Sequence, residues 1–478
     1  MTGSEPRWAA TVRNFTRETM TIHGIPAAAL AVSEGGQERF AAGFGTRESG
    51  QSAAVTPDTI FGVASVTKGF TALAIMQLVE AGRLAIDDPV VRHLPRYRTP
   101  DAAGTRATTI THLLTHTAGL PPLPSRFFAL ARAMAGDPYA ATHPVWVAEH
   151  APLDSADDLL AFIAESDFVP LGSPGEQFSY SNEGFALLGA IIERVSGLPY
   201  ATYVRERILE PLGMSRSTFD RAVLPPGAAL ATFHVLRDTP HGRRPIPAPQ
   251  GNYTPLWYAA GGLNTTARDL LRYLELFRTG GLSGGVRLLS EAGIAAMVAP
   301  RTRGGVPGTF YGYGLNIVLR YGGTWLVQHG GGSKGISSHI LVAPARDYTA
   351  AALTNLADAP AEQLALAPLN KMLDRPLAAR IVTHGEATYP PSLLERCVGV
   401  YRGGEGQEIT ASLKNERLML HLAGHTQAAR PVGDDGFVID TLAGESYLQF
   451  LLPDAGGPAW GVRSGSRIVP RAVEDRMA

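Results

Sequence analysis

The 478-residue chain reads as an α/β (α+β) protein: an antiparallel sheet flanked by helices, interrupted by a mostly helical lobe, and followed by a small all-β barrel. Three observations carry this expectation. Strand-like runs closed by glycine turns occur at 27–44 and return only at 313–354. Between them, blocks with helical spacing alternate with Pro- and Gly-rich connections. Beyond residue 386, short strand-like runs follow one another at turn spacing.

The elements follow in order. The run Ala27-Ala28-Ala29-Leu30-Ala31-Val32, the turn Glu34-Gly35-Gly36 and the run from Arg39 to Phe44 predict a hairpin. Segment 66–81 places Phe70, Leu73, Met76, Leu78 and Val79 at mostly helical spacing and stops at Gly82, suited to a left-handed helix end. Helical blocks at 110–115, 156–165, 184–196, 200–208 and 267–277 build a lobe over about 85–300, between sheet segments at about 20–65 and 305–375. Runs at 313–320, 324–328, 338–342 and 348–354 complete the sheet, and a helix follows at 361–373. Segment 375–391, with Pro376, Pro390 and Pro391, reads as a linker, so the expected domains are 1–385 and 386–478, the second without a helix.

Composition narrows the function. Lys+Arg at 42 against Asp+Glu at 43 leaves a net charge of -1, which gives no general attraction to nucleic acid or to anionic lipid. The single cysteine, Cys397, excludes an internal disulfide and a thiolate-clamped metal cluster, and it sits among apolar neighbours as a core residue does. Segment 1–25 lacks the basic and apolar regions of a signal peptide, and no apolar run reaches the ~18 residues of a membrane span. The expectation is a cytoplasmic protein with no metal, no cofactor, no nucleic-acid or membrane partner, and an open oligomeric state that includes a homo-oligomer.

Chemistry centres on Ser65-Val66-Thr67-Lys68. With Ser65 at a helix start, Lys68 lies above the same face and its amine can meet the hydroxyl. A serine needs a base, and a lysine near pKa 10.4 is protonated at neutral pH, so burial and the positive end of the helix dipole must lower its pKa. The unpaired N–H of Ser65 can serve as half of an oxyanion hole. Two further clusters join it. Tyr180-Ser181-Asn182 precedes a helix and offers a phenol and an amide, and His329-Gly330-Gly331-Gly332 ends a strand where glycines let substrate approach the backbone.

Ser-x-x-Lys, Tyr-x-Asn and His-Gly-Gly in this order resemble the three motifs of serine β-lactamase-like and penicillin-binding proteins. Within that superfamily the chain resembles the S12 peptidase type, with its class C β-lactamases, D-aminopeptidases and family VIII esterases. Ile110-Thr111-His112-Leu113-Leu114-Thr115-His116-Thr117-Ala118-Gly119-Leu120, Gly172-Ser173-Pro174-Gly175-Glu176 and Ala260-Gly261-Gly262-Leu263 support the resemblance, which spans about 22–373. It implies that Ser65 is the acylated nucleophile, Lys68 its activating partner and Tyr180 the proton shuttle, with the first proton acceptor left open between Lys68 and Tyr180. Asn182 would hold Lys68 and a substrate amide, the N–H of Gly332 would complete the oxyanion hole beyond Gly330 and Gly331, and His329 would line the opposite wall. The C-terminal barrel resembles lipocalin-like domains appended to such enzymes, either capping the cleft, mediating assembly or serving stability alone.

The third motif departs from the family's usual lysine. A mostly neutral His329 is a poorer anchor for a substrate carboxylate than that cation. The implied activity is therefore a serine hydrolase acting through an acyl-enzyme on amide or peptide bonds of small peptides or peptide-like products with D-residues. A family VIII type esterase or acyltransferase, a weak β-lactamase and a non-catalytic scaffold are the alternatives, in that order. Segment 121–169, with Trp146 and His150, reads as a lid or as a surface insertion. Two Gly-x-Ser-x-Gly strings around Ser283 and Ser333 stand in the wrong arrangement for an α/β-hydrolase, and His112-x-x-x-His116 lacks the glutamate of a metallopeptidase helix.

Overall fold

The computed structural model describes residues 5–134, 151–239, 242–248, 254–433, 436–441 and 444–472. Strands β1 (Ala27–Glu34) and β2 (Gln37–Gly45) form the N-terminal hairpin. Strands β3 (Thr302–Arg303), β4 (Thr309–Tyr311), β5 (Asn316–Tyr321), β6 (Thr324–Ser333), β7 (Ile336–Ala343) and β8 (Tyr348–Thr354) return much later in the chain. They make one sheet in the order β2-β1-β8-β7-β6-β5-β4-β3, antiparallel throughout. The register sets Leu30 opposite Ala352, so the two ends of the domain close on each other.

The helices used below are α1 (Ala9–His23), α2 (Thr67–Glu80), α3 (Ser125–Met134), α4 (Asn182–Ser196), α5 (Ala267–Thr279), α6 (Ala361–Met372) and α7 (Pro391–Cys397). Alternation along β1 sends Ala27, Ala29 and Ala31 into a core shared with α2, α4 and α5, and Ala28, Leu30 and Val32 into a second core shared with α1 and α6. A strand covered on both faces has no polar side, which is why β1 is a continuous apolar run. The central helix is α2, buried nearly all round, with Phe70 stacked on Tyr273 of α5 at 3.8 Å between ring centres.

Three elements differ from expectation. α1 buries only Ala9, Val12, Thr16, Thr19 and Met20, a stripe too weakly apolar to stand out in the sequence, and Gly24 ends it at φ 64°. β6 runs on through its glycines to Ser333, because Gly330, Gly331 and Gly332 pair with His339, Ser338 and Ser337. The C-terminal segment does contain a helix, α7: Pro391 suits its first turn, and Leu394 and Cys397, one turn apart, enter the C-terminal core. Of the 121–169 segment, α3 and a helix at Ala156–Glu165 are described, while Trp146 and His150 lie outside the described residues.

After α7 come β9 (Gly399–Arg402), β10 (Glu408–Lys414), β11 (Arg417–Leu422), β12 (His425–Ala428), β13 (Arg430–Val432), β14 (Gly436–Thr441), β15 (Gly444–Leu451), β16 (Gly461–Ser464) and β17 (Arg467–Pro470). They form a four-stranded and a five-stranded sheet around their own apolar core, joined at one seam by a bridge between Tyr401 and Arg471. This unit docks on the first. Gly404 N–H donates to Pro122 O at 3.1 Å, and a Cβ placed on Gly305 would lie 2.0 Å from Gly465 O and 2.6 Å from Ser466 Cα. Both obstacles are backbone, so Gly305→Ala is expected to lower unfolding stability by about 1–3 kcal/mol, as overpacking does. Denaturant titration checks this, and unchanged stability would mean that the two surfaces do not meet at Gly305.

Candidate active site

Ser65 lies on a short 3-10 turn, Ala64–Val66, that leads into α2. Ala64 is held at φ 44°, a left-handed conformation unfavourable for a residue with a side chain. The turn is clamped from several directions: Thr67 Oγ1 donates to Ala64 O at 2.6 Å, Leu263 N–H donates to Thr67 Oγ1 at 3.2 Å, and Ser338 Oγ donates to Val63 O at 2.8 Å. β6 lies directly against it. A Cβ on Gly331 would fall 2.1 Å from Val63 O, so only glycine allows the strand this close to the Ser65 turn. β5 pairs with β6 only as far as Gln328, so over 329–333 that edge of β6 has no neighbouring strand among the described residues.

Lys68, on the first turn of α2, is fully buried. Its Nζ lies 2.9 Å from Asn182 Oδ1, 2.6 Å from Ala260 O and 3.2 Å from Ser65 Oγ. Among the described residues no carboxylate comes within ion-pair distance of it. Burial, followed by the charges of Arg467 and Arg126, pushes its pKa well below the ordinary lysine value. Two of its three neighbours are pure acceptors. A neutral amine gives them its two N–H groups and turns its lone pair to the Ser65 hydroxyl.

Tyr180 and Asn182 arrive from the loop before α4. Ser181 caps that helix by accepting from Gly184 N–H at 3.1 Å, and the buried Glu183 accepts from Ser181 Oγ at 3.0 Å and from Ser125 Oγ of α3 at 2.5 Å. Burial raises the Glu183 pKa above the usual carboxylate range. The Tyr180 ring sits 4.8 Å from Lys68 Nζ. Its hydroxyl is buried without a closed hydrogen bond, and burial raises its pKa, a cost that the neighbouring Ser65 hydroxyl partly offsets. The phenol therefore keeps its proton at neutral pH.

His329 is also buried, at 3% exposure, and belongs to a chain behind Tyr180. His116, in the left-handed region at φ 58°, accepts the N–H of Ser181 on Nδ1 at 3.0 Å. Its Nε2–H is then left to donate to Tyr311 Oη at 3.2 Å, Tyr311 donates to His329 Nε2 at 3.0 Å, and His329 Nδ1–H donates to Gly330 O at 2.6 Å. Each step follows from the one before it, so both imidazoles are neutral with assigned tautomers. Burial and then Lys68 push the His329 pKa down to about 3. It holds the start of the glycine run of β6 and carries no positive charge for a ligand.

Sequence reasoning missed the contribution of the C-terminal unit. Ser466 O accepts the backbone N–H of Tyr180 at 2.8 Å, and Ile468 N–H donates to Ser179 Oγ at 3.2 Å. The next residue, Arg467, puts its guanidinium 5.2 Å from the centre of the Tyr180 ring and pairs with Glu405 at 2.7 Å. Burial works against ionisation of Glu405, yet Arg467 and Arg126 hold its pKa below the usual range. Nothing in the sequence marked these residues, since the register of a barrel hairpin against another domain has no local signature. His116 did have one, in the His112-x-x-x-His116 spacing, where its partner is a tyrosine and not a metal.

Comparison with known proteins agrees with this geometry. The chain belongs to the beta-lactamase family, whose profile matches residues 12–371. It is 31% identical over 347 residues to penicillin-binding protein 4 of Amycolatopsis lactamdurans, covering 70% of this chain and 82% of that protein. It is 33% identical over 310 residues to the esterase EstB of Burkholderia gladioli, covering 59% and 72%. Among solved structures, an octameric penicillin-binding protein homologue from Pyrococcus abyssi superposes with a TM-score of 0.67 at 28% identity over 96% of this chain and 98% of that one. A D-stereospecific amidohydrolase from Streptomyces sp. does so with a TM-score of 0.57 at 25% identity over 74% and 95%. The protein is a serine hydrolase of this family, and no helix among its described residues is long and apolar enough to cross a membrane.

Two outcomes follow from the site. Gly331→Ala is expected to cut turnover by about a hundredfold or more and to lower the melting temperature, because a backbone carbonyl blocks the new methyl. Gly332→Ala meets nothing within 4 Å and should keep wild-type stability, so equal melting temperatures for the two variants would contradict the close approach. A lysine with a lowered pKa is charged below that pKa and neutral above it. The rate of Ser65 acylation should accordingly rise with pH and level off well below 10.5, as read with an activated ester under single-turnover conditions. A rate still climbing at pH 10.5 would show an ordinary lysine.

Proposed function

We propose that this serine hydrolase works through an acyl-enzyme on Ser65, with Lys68 as the first proton acceptor, and that it cleaves amide or peptide bonds of small peptides or peptide-like compounds with D-residues. The observation that carries the reading is the Lys68 amine, whose N–H groups are taken by Asn182 Oδ1 and Ala260 O while Ser65 Oγ stands at its third position. Ser65 Oγ attacks the carbonyl carbon as its proton passes to Lys68 Nζ. The oxyanion is held by the N–H groups of Ser65 and Gly332, the second on the open edge of β6. Collapse expels the amine, which takes a proton from the Tyr180 phenol, and Lys68 returns its proton to that oxygen. Water then attacks the acyl group by the reverse route.

The charges around the cleft bear on the substrate. Arg126 and Arg467 stand with two carboxylates, Glu405 and Glu183, beside Tyr180 and Lys68, so this group is balanced in charge. Neutral His329 adds no cation to it, so no charged anchor for a substrate carboxylate stands here among the described residues. The likeness to the D-stereospecific amidohydrolase supports amides of D-residues, and the likeness to EstB supports the esterase alternative.

A fluorophosphonate probe should add its mass to the peptide bearing Ser65, and D-amino-acid amides should be hydrolysed by the wild type and not by Ser65→Ala. No adduct on Ser65 would end the acyl-enzyme reading. Turnover of short p-nitrophenyl esters with no amide cleavage would place the esterase reading first.

A further inference from the structure

Where the 304–308 loop meets the C-terminal unit lies a cavity of about 360 Å³ that is not lined by Ser65, Lys68 or Tyr180. Two arginines line it, Arg303 from β3 and Arg463 from β16, together with Tyr447, Gln449 and Phe310. No carboxylate is among its lining residues. Arg463 is 92% buried, at 8% exposure, and its one polar contact among the described residues is a 3.5 Å approach of a terminal nitrogen to Gln177 Oε1. Its Nε is buried with no hydrogen-bond partner, and among the described residues no carboxylate lies within ion-pair distance of Arg463 or Arg303.

A guanidinium cannot shed its proton, so burying one without a counter-charge is costly. Arg467, on the same hairpin, is buried against Glu405, and Arg278 pairs with Glu275 and Asp347. Arg463 has no such carboxylate among the described residues, and it faces a space large enough for a small molecule. We propose that this cavity is a binding site for a small organic anion whose carboxylate or phosphate group pairs with Arg463 and Arg303 and whose body rests against Phe310 and Tyr447. A planar fork of donors suits both oxyanions, and aromatic walls suit a ligand larger than a bare ion. The site is separate from the Ser65 chemistry and stands whether or not the proposed substrate is correct.

The test uses the full-length protein with benzoate and phenyl phosphate as probes, inorganic phosphate as the bare-ion arm, and sodium chloride at equal ionic strength as the control. At least one organic anion should raise the melting temperature saturably beyond chloride. Arg463→Gln should weaken that binding roughly ten- to a hundredfold, the loss expected for a charge-assisted contact. Exposed Arg303→Gln, which leaves the fold intact, should weaken it several-fold. Stronger binding of benzoate assigns a carboxylate ligand, and stronger binding of phenyl phosphate assigns a phosphate ligand. The rate of fluorophosphonate labelling at Ser65 should not change with the anion present. No saturable shift, undiminished binding in both variants, binding of inorganic phosphate alone, or slowed labelling that persists in Arg463→Gln would each overturn the proposal, the last by placing the anion in the catalytic cleft.

Discussion

Burying the amine of Lys68 without a carboxylate beside it is the constraint from which the rest of the site follows. An ammonium there would need a counter-charge, and the nearest acids, Glu183 and Glu405, act only at longer range. The structure instead supplies two oxygen acceptors, one from the start of α4 and one from the chain at Ala260. A neutral amine satisfies both and keeps its lone pair for serine. The arginines that a stability argument would call unhelpful have a purpose in this setting, because each added positive charge nearby makes the amine easier to keep unprotonated.

Those acceptors must be held in place, and the fold does so by close backbone approach. Gly331 sits against Val63 O, Ala64 and His116 are kept in left-handed conformations, and the His116, Tyr311 and His329 side chains connect the tyrosine loop to β6. Strain of order 1–3 kcal/mol at each such residue persists only where surrounding contacts over-determine it. Here the surroundings include the C-terminal unit, which binds the backbone of Tyr180 through Ser466. That unit forms part of the support of the Tyr180 loop, in addition to having its own core.

Much of this was legible in the sequence because the informative signals are local. The hairpin at 27–44, the helix after Ser65 and the late strands all announce themselves by periodicity and turn residues, and Ser65, Lys68, Tyr180 and Asn182 stand in short motifs. What was not legible is long-range or carried by weak signals. Arg467 and Glu405 reach the cleft only because one barrel docks in one orientation, and Gly305 permits that docking by what it lacks. α1 hides because its buried stripe is Ala, Val, Thr and Met. α7 hides behind the same prolines that suggested a linker, since a proline breaks a helix interior and yet favours a helix start.

The account rests on a neutral Lys68, and lysine NMR reads this directly. The chain contains only four lysines, Lys68, Lys334, Lys371 and Lys414, so a protein labelled with 13C at lysine Cε gives a spectrum simple enough to follow through a pH titration. Lys334 is also buried, and a Lys334→Arg variant separates its resonance from that of Lys68. The expected result is one resonance, present in that variant, that reports an uncharged amine well below the ordinary lysine pKa. If the Lys68 resonance instead titrates near the ordinary lysine value of about 10.4, the amine is charged at neutral pH and cannot be the base.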